Sequence, residues 1–369
     1  MNFLFVHQNM PGQFRHLAAH LARQPENRVV FLTRRDDVAI GGVTRVTYKP
    51  ARAPSRETHH YLIRSEDAVL HGQAVARAVV GLKGQGFAPD LVVAHSGWGE
   101  ALYLRDVLPR TPFLSYCEFY YRSHGADMGF DPSDPPELDS ILRARTRNAH
   151  LLLSLEACDR GWSPTHWQKS VHPQPFHSRI GVVHEGIDTE FLAPDPQAAF
   201  LLPDGAALKK GDEVVTYVAR NLEPYRGFPT FIRALPAILA ERPAARVVIV
   251  GGDQISYGSP PREGGTWRET MLAEVPLDPE RVHFVGRLPY DRFAALMKVS
   301  AVHVYLTYPF VLSWSMLEAM AAGAAVVGSA TAPVEEVIDH GRNGLLVDFF
   351  SPEQFEQDVE RQPFTLCYG

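Results

Sequence analysis

Cysteine is scarce: Cys117, Cys158 and Cys367 are the three in 369 residues, far apart and odd in number. With no CxxC pair among them, neither a disulfide framework nor a cysteine metal site is expected. No apolar run approaches the roughly 18 residues that span a bilayer. The start, MNFLFVHQ, has strand character without a basic n-region or cleavage site, so no signal peptide is read and a cytoplasmic location is expected. Basic runs do not exceed short pairs such as Arg34-Arg35, and the net charge is −6, which argues against nucleic acid as a partner. The 16 histidines show no HExxH or Cys/His ligand spacing. The Asp-rich DMGFDPSDPPELD (127–139) carries prolines and no glycine where an EF-hand loop needs one. No metal is implied, and there is no internal repeat or low-complexity tract.

What is present is ordinary globular material, 45% hydrophobic and 21% charged, in a chain long enough for two domains. Short apolar runs alternate with helix-period segments. The strand candidates are 2–7, 28–33, 90–95, 112–117, 150–155 and 180–184, then 213–219, 246–252, 282–286, 301–306, 324–329 and 344–349. Most are continuously apolar, as parallel strands buried on both faces are. Helix patterns lie between them, at GQFRHLAAHLAR (12–23) and at GFPTFIRALPAILAER (227–242), where Phe228, Phe231, Ile232, Leu235, Ile238 and Leu239 keep one face apolar. The strand–helix repetition occurs twice, around a polar, Pro- and Gly-containing seam at 184–213. The expected class is α/β: two Rossmann-like, doubly wound domains facing a cleft, over 1–193 and 194–350, with a short atypical tail at 351–369.

In open parallel sheets ligands collect at the carboxyl ends of strands, beside helix N-termini. RNLEPYRG (220–227) follows one strand candidate. Its Arg220 and Arg226 are either two solvated surface arginines or a pair converging on a diphosphate. After another comes TYPFVLSWSMLEAMAAGAAVVGS (307–329), in which Ser313-Trp314-Ser315 opens a helix. Its lone carboxylate, Glu318, fits S-x-x-E with Ser315, a capping box. A ligand role is the alternative.

In order and spacing, RNLEPYRG, GRLPY (286–290), SWSMLEAMAAGAAVVGS and EEVIDHGRNGLLVDF (335–349) resemble the C-terminal half of the retaining GT-B glycosyltransferases of family 4. HEGIDTEFLAP (184–194) resembles the segment entering that half, and HQNMPGQFRHLAAHLA (7–22) the family's first glycine loop and helix. The resemblance implies a C-terminal domain that binds a nucleotide-sugar and an N-terminal domain that takes the acceptor. The family's Arg-x5-Lys diphosphate pair falls on Arg220 and Arg226, the second departing from Lys. The second Glu of its E-x7-E motif, the ribose ligand, falls on Glu318. The first, which contacts the donor sugar, falls on Phe310, a departure. The glycine whose amide approaches the phosphates falls on Ser313, at the start of the helix that continues with Trp314 and Ser315. Backbone near Arg287 and Leu288 would meet the base, and Gly12 the transferred sugar and phosphates.

On the acceptor side, SYCEFYYRSHG (115–125) follows a strand where the family often has a His; Cys117 or Glu118 stands there instead. Glu118 would accept a proton or bond the sugar, or else is a rim carboxylate. Cys117 lacks an obvious His partner for a nucleophile's role. His95 ends another strand, and Phe119, Tyr120 and Tyr121 either stack on an acceptor sugar or pack their loop. The expectation is a metal-independent retaining hexosyltransferase without a cofactor, in polysaccharide or glycoconjugate assembly. It would move a sugar from a nucleotide diphosphate-sugar to a sugar or lipid-linked acceptor, a lipid acceptor bringing peripheral membrane association. The alternatives are a catalytically inactive nucleotide-sugar-binding GT-B module and a GT-B nucleotide-sugar epimerase.

Overall fold

The computed structural model describes residues 1–351; the expected tail, Cys367 included, lies outside the described residues from 352 onward. The chain divides into two compact units, Met1–Gly186 and a second beginning at Ile187.

The first unit is built on one parallel sheet. Its strands are β1 (Asn2–Val6), β2 (Arg28–Thr33), β3 (Val43–Thr47), β4 (Leu91–His95), β5 (Phe113–Tyr116), β6 (Arg160–Ser163) and β7 (Ile180–Val182). Their order is β3-β2-β1-β4-β5-β6-β7, all pairings parallel. Alternate residues of one strand feed opposite faces. Leu4 and Val6 pack with Val30, Leu32 and the helix residues Val75 and Val79, whereas Phe3 and Phe5 pack with Phe14, Phe31 and Tyr116. Both faces are therefore apolar, and the central strands read as unbroken hydrophobic runs.

In the second unit a small antiparallel hairpin, β8 (Ala199–Leu201) with β9 (Ala207–Lys209), precedes a second parallel sheet. That sheet consists of β10 (Val214–Asn221), β11 (Arg246–Gly252), β12 (Val282–Gly286), β13 (Val302–Tyr305), β14 (Ala325–Ser329) and β15 (Leu345–Val347), in the order β12-β11-β10-β13-β14-β15. The helix Phe228–Glu241 lays the anticipated face on it, with Phe228, Phe231, Ile232, Leu235, Ile238 and Leu239 all buried.

Three expectations change. The run 150–155 is not a strand but part of the helix Ala149–Ala157. His150, Leu151, Ser154 and Leu155 are buried while Leu152 and Leu153 are exposed, a helical spacing that a run of leucines conceals. The strand of that position is β6, whose sequence RGWS carries little apolar signal. Edge strand β3, VTRVT, was also not anticipated; only its valines are half-buried.

Candidate active site

In both sheets the order reverses in mid-sheet, between β1 and β4 in the first unit and between β10 and β13 in the second. Loops leaving the carboxyl ends of such strands diverge and leave a crevice.

In the first unit His7 lies just past β1, His95 ends β4 and Glu118 lies just past β5, at the carboxyl ends of these strands. The His7 Nδ1 accepts from the Asn9 amide (2.9 Å), which leaves Nε2–H to donate to Gln13 Oε1 (2.7 Å). Gln13 Nε2 donates to Glu118 Oε1 (2.5 Å). His95 Nδ1 accepts from the Gly97 amide (2.9 Å), so its Nε2–H faces Glu118 Oε2 at 3.3 Å, an ion-pair distance without hydrogen-bond alignment. Burial pushes the Glu118 carboxyl up, but the neighbouring imidazoles of His95 and His7 and the hydrogen bond from Gln13 outweigh it and hold the group below its ordinary value. Burial, and the charge His95 would carry, lower His7 to about 3, so it is neutral. Gly12 has φ +49°, and a Cβ there would lie 2.5 Å from the His7 ring nitrogen, so the glycine is demanded by both backbone and space.

The structure thus joins His95 to Glu118 and adds His7 and Gln13, which the sequence did not mark. Tyr120 stands outside this network: it packs on the Cys117, Leu155 and Ile180 cluster. Cys117 is buried and its thiol is pushed up to about 12, mainly by burial, so it is no thiolate nucleophile. Phe119 packs its loop, edge-on to Tyr121 (5.3 Å) and near Trp167 (6.0 Å).

In the second unit Arg220 lies exposed near the end of β10, with no hydrogen bond or ion pair among the described residues. Arg226 is different. It ends the 3-10 turn Pro224–Arg226 and is buried. Its Nη1 donates to Tyr305 Oη (3.0 Å) and Thr307 Oγ1 (2.7 Å), its Nη2 to the Val311 carbonyl (3.2 Å). Rings of Tyr257 (5.6 Å) and Phe310 (6.0 Å) flank the guanidinium carbon. Among the described residues no carboxylate pairs with it, so a buried cation is held by neutral acceptors alone. Phe310 is itself buried against Tyr257 (4.9 Å) and Tyr225 (5.5 Å).

Glu223, three residues before Arg226, is fully buried. Its carboxylate accepts from the amides of Ser256 (3.2 Å to the nearer oxygen), Tyr257 (3.1 Å) and Gly258 (3.1 Å), and so fixes the loop that carries Tyr257. Asn221 completes the strand end, donating to Ser256 Oγ (2.6 Å) and accepting from Arg287 Nη2 (2.8 Å). Leu288 packs on the unit's core.

The capping box expected at Ser315 and Glu318 does not form. The helix Trp314–Ala321 is capped by Ser313, whose Oγ accepts from the Ser315 amide, so Met316, not Glu318, stands at the third helical position. Glu318, buried, instead accepts from the Tyr290 hydroxyl (2.9 Å). A capping box does exist in the unit, at Thr266 and Glu269. The Ser313 amide donates to Tyr305 Oη (2.7 Å).

No group of three or more potential metal-ligating side chains occurs among the described residues, and no described helix is long and apolar enough to cross a membrane.

The family model "Glycosyl transferase family 4 group" matches residues 25–192, and "Glycosyl transferases group 1" matches residues 212–362. The chain is 29% identical over 186 residues, 49% of its length, to D-inositol 3-phosphate glycosyltransferase of Mycobacteroides abscessus, covering 38% of that protein. It is 30% identical over 260 residues to the GDP-mannose-dependent alpha-(1-6)-phosphatidylinositol monomannoside mannosyltransferase of Mycobacterium tuberculosis, covering 68% of this chain and 62% of that one. It thus spans less than two thirds of the length of these curated relatives. Among solved structures, sucrose-phosphate synthase of Thermosynechococcus elongatus superposes with a TM-score of 0.71 at 16% identity, covering 98% of this chain and 89% of that one. HepE of Anabaena, in complex with UDP and glucose, gives 0.65 at 17%, with the same coverages. At such identities the likeness shows the fold, GT-B.

Proposed function

The chain belongs to the family 4, group 1 glycosyltransferases, and from that premise we propose that it is a metal-independent, retaining hexosyltransferase using a nucleoside diphosphate-sugar. Names among the relatives and neighbours include a GDP-mannose-dependent enzyme and a complex with UDP-glucose, so a hexose on either nucleotide is the donor class tested first.

One observation carries the reading: the buried Arg226 guanidinium, satisfied by neutral oxygens and, among the described residues, without a counter-anion. A buried charge is costly unless it is paired, and a diphosphate would supply the missing charge. Arg220, exposed at the same strand end, and the amides opening the helix at Trp314 would share it. As the glycosyl bond breaks, charge grows on the departing diphosphate. Donors fixed in place beforehand then stabilise the transition state more than the ground state. Glu318, oriented by Tyr290, is assigned to the ribose hydroxyls. Arg287 and Leu288 are assigned to the base, and Gly12 to the transferred sugar. The Met1–Gly186 unit is assigned to a sugar or lipid-linked acceptor, with the Glu118 carboxylate, held ionised, accepting from the acceptor hydroxyl.

The test is turnover of UDP- and GDP-hexoses by wild type and by Arg226→Gln, in excess EDTA, with the anomeric configuration of the product read by NMR. Activity that survives chelation, falls by about 10²-fold in the variant and retains configuration is expected. Loss of activity on chelation, restored by Mg²⁺ or Mn²⁺, would overturn metal independence, and an unchanged variant would overturn the site.

A further inference from the structure

Outside the His7–Glu118 network the first unit carries a cavity of about 480 Å³, within the range of small-molecule sites. Its lining is divided by chemistry. Arg122 and Arg145 bring positive charge, Ile141, Leu142 and Leu152 bring apolar surface, and no carboxylate lines it. Arg145 makes no side-chain hydrogen bond or ion pair among the described residues. Arg122 commits, among the described residues, only its Nε, to the Val171 carbonyl (3.0 Å). The loop wall is rigid, because Asn148 donates to the Tyr121 carbonyl (2.7 Å) and accepts from the Tyr121 amide (2.9 Å).

The apolar side runs on outward. Leu142 and Leu152, on the helices Leu138–Arg147 and Ala149–Ala157, are 43% and 41% exposed, and on the same two helices Leu138 and Leu153 are 68% and 54% exposed. Leucines left in water beside a cationic cavity mark a surface meant for covering. A free phosphate would use the arginines and leave the leucines bare; an uncharged chain would do the reverse. The two halves together fit a molecule with both properties.

We propose that this cavity seats the acceptor and that the acceptor is a phosphate-bearing amphiphile. Its phosphate lies on Arg122 and Arg145, whose planar forks suit that group, and its apolar arm lies along Ile141, Leu142 and Leu152. The assignment as acceptor rests on the transferase reading. Tyr120, two residues past Glu118, lines the cavity and so links it along the chain to the β5 end.

The experiment is calorimetric titration of the full chain with monomeric dihexanoyl phosphatidylglycerol, with dihexanoylglycerol, which has the same acyl arms and no phosphate, and with inorganic phosphate, with UDP and GDP titrated separately. The phospholipid should bind saturably and about tenfold more tightly than the phosphate-free lipid or phosphate, the worth of one charge-assisted contact. Arg145→Gln should weaken it by about the same factor, and Leu142→Ser should weaken it too. Neither should move nucleotide affinity or melting temperature. Equal binding of the two lipids, equal binding of phosphate alone, or an unaffected Arg145→Gln overturns the proposal. Nucleotide binding without any lipid binding overturns it and leaves the transferase reading standing; lipid binding without nucleotide binding overturns that reading, and with it the acceptor's role.

Discussion

The Tyr305 hydroxyl accepts from Arg226 Nη1 at 3.0 Å and from the Ser313 amide at 2.7 Å. One oxygen at the end of β13 thus holds both the buried cation and the entrance to the helix Trp314–Ala321. Tyr305→Phe keeps the ring and leaves one buried donor, on Arg226, and one half-buried donor, the Ser313 amide, short of an acceptor, at about 1–3 kcal/mol in all. Urea unfolding should show a loss in that range, and titration a weaker nucleotide. Unchanged nucleotide affinity would mean that Arg226 does not depend on this anchor.

Phe310, which the resemblance matches to the family's sugar-contacting carboxylate, is buried among rings beside Arg226. A carboxylate in its place would lie next to a guanidinium that no described carboxylate pairs, and would compete with a diphosphate for it. Phe310→Glu should therefore weaken free UDP or GDP by about tenfold, whereas Phe310→Leu, which loses only the ring's cation–π term of about 0.5–1 kcal/mol, should do so less. Equal affinities in wild type and Phe310→Glu would show that the carboxylate does not reach Arg226.

Glu223→Gln keeps size but replaces a carboxylate that serves three amides. Charge-assisted bonds are about twice as strong as neutral ones, so the loop at 256–258 should loosen, read as faster amide exchange there and a lower melting temperature. Arg220 is exposed and, among the described residues, unpartnered, so Arg220→Gln should leave the melting temperature alone and weaken only nucleotide binding.

Acid should destabilise the fold early. Burial lowers His7 to about 3, His172 to about 4 and His303 to about 3. Below an unfolded pKa of about 6.5 the unfolded chain takes up protons that the folded chain refuses. Stability is then lost as pH falls through the window down to those values, by up to about 1.4 kcal/mol per pH unit for each histidine. Urea midpoints at pH 7, 6 and 5 should fall steeply and, in His303→Asn, less steeply. Parallel profiles would show that His303 is not buried neutral.

Much of the architecture was legible because strands buried on both faces leave unbroken apolar runs: every strand of the second sheet falls within or beside a run read from the sequence. Where that signal fails, so does the reading. RGWS is a strand by virtue of its neighbours' hydrogen bonds, and HLLLSL is a helix that merely looks like a strand. The site divides in the same way. Arg220, Arg226 and Glu318 sit at strand ends and in a helix's first turns, places a sequence announces. Gln13 reaches Glu118 across 105 residues and Arg226 reaches Tyr305 across 79, pairings that only the stacking of strands creates. Ser313 took the cap from Ser315 because helix starts are decided by backbone geometry, and S-x-x-E occurs wherever those residues happen to fall.

Asn221 spends one end of its amide on Ser256 and the other on Arg287, while Glu223 gathers the backbone at 256–258. The loops that leave β10, β11 and β12 are therefore not three independent flaps but one cooperative unit, opening together or not at all. Any ligand that orders one of them inherits the order of the other two, so the entropy lost on binding is smaller than three separate loops would demand.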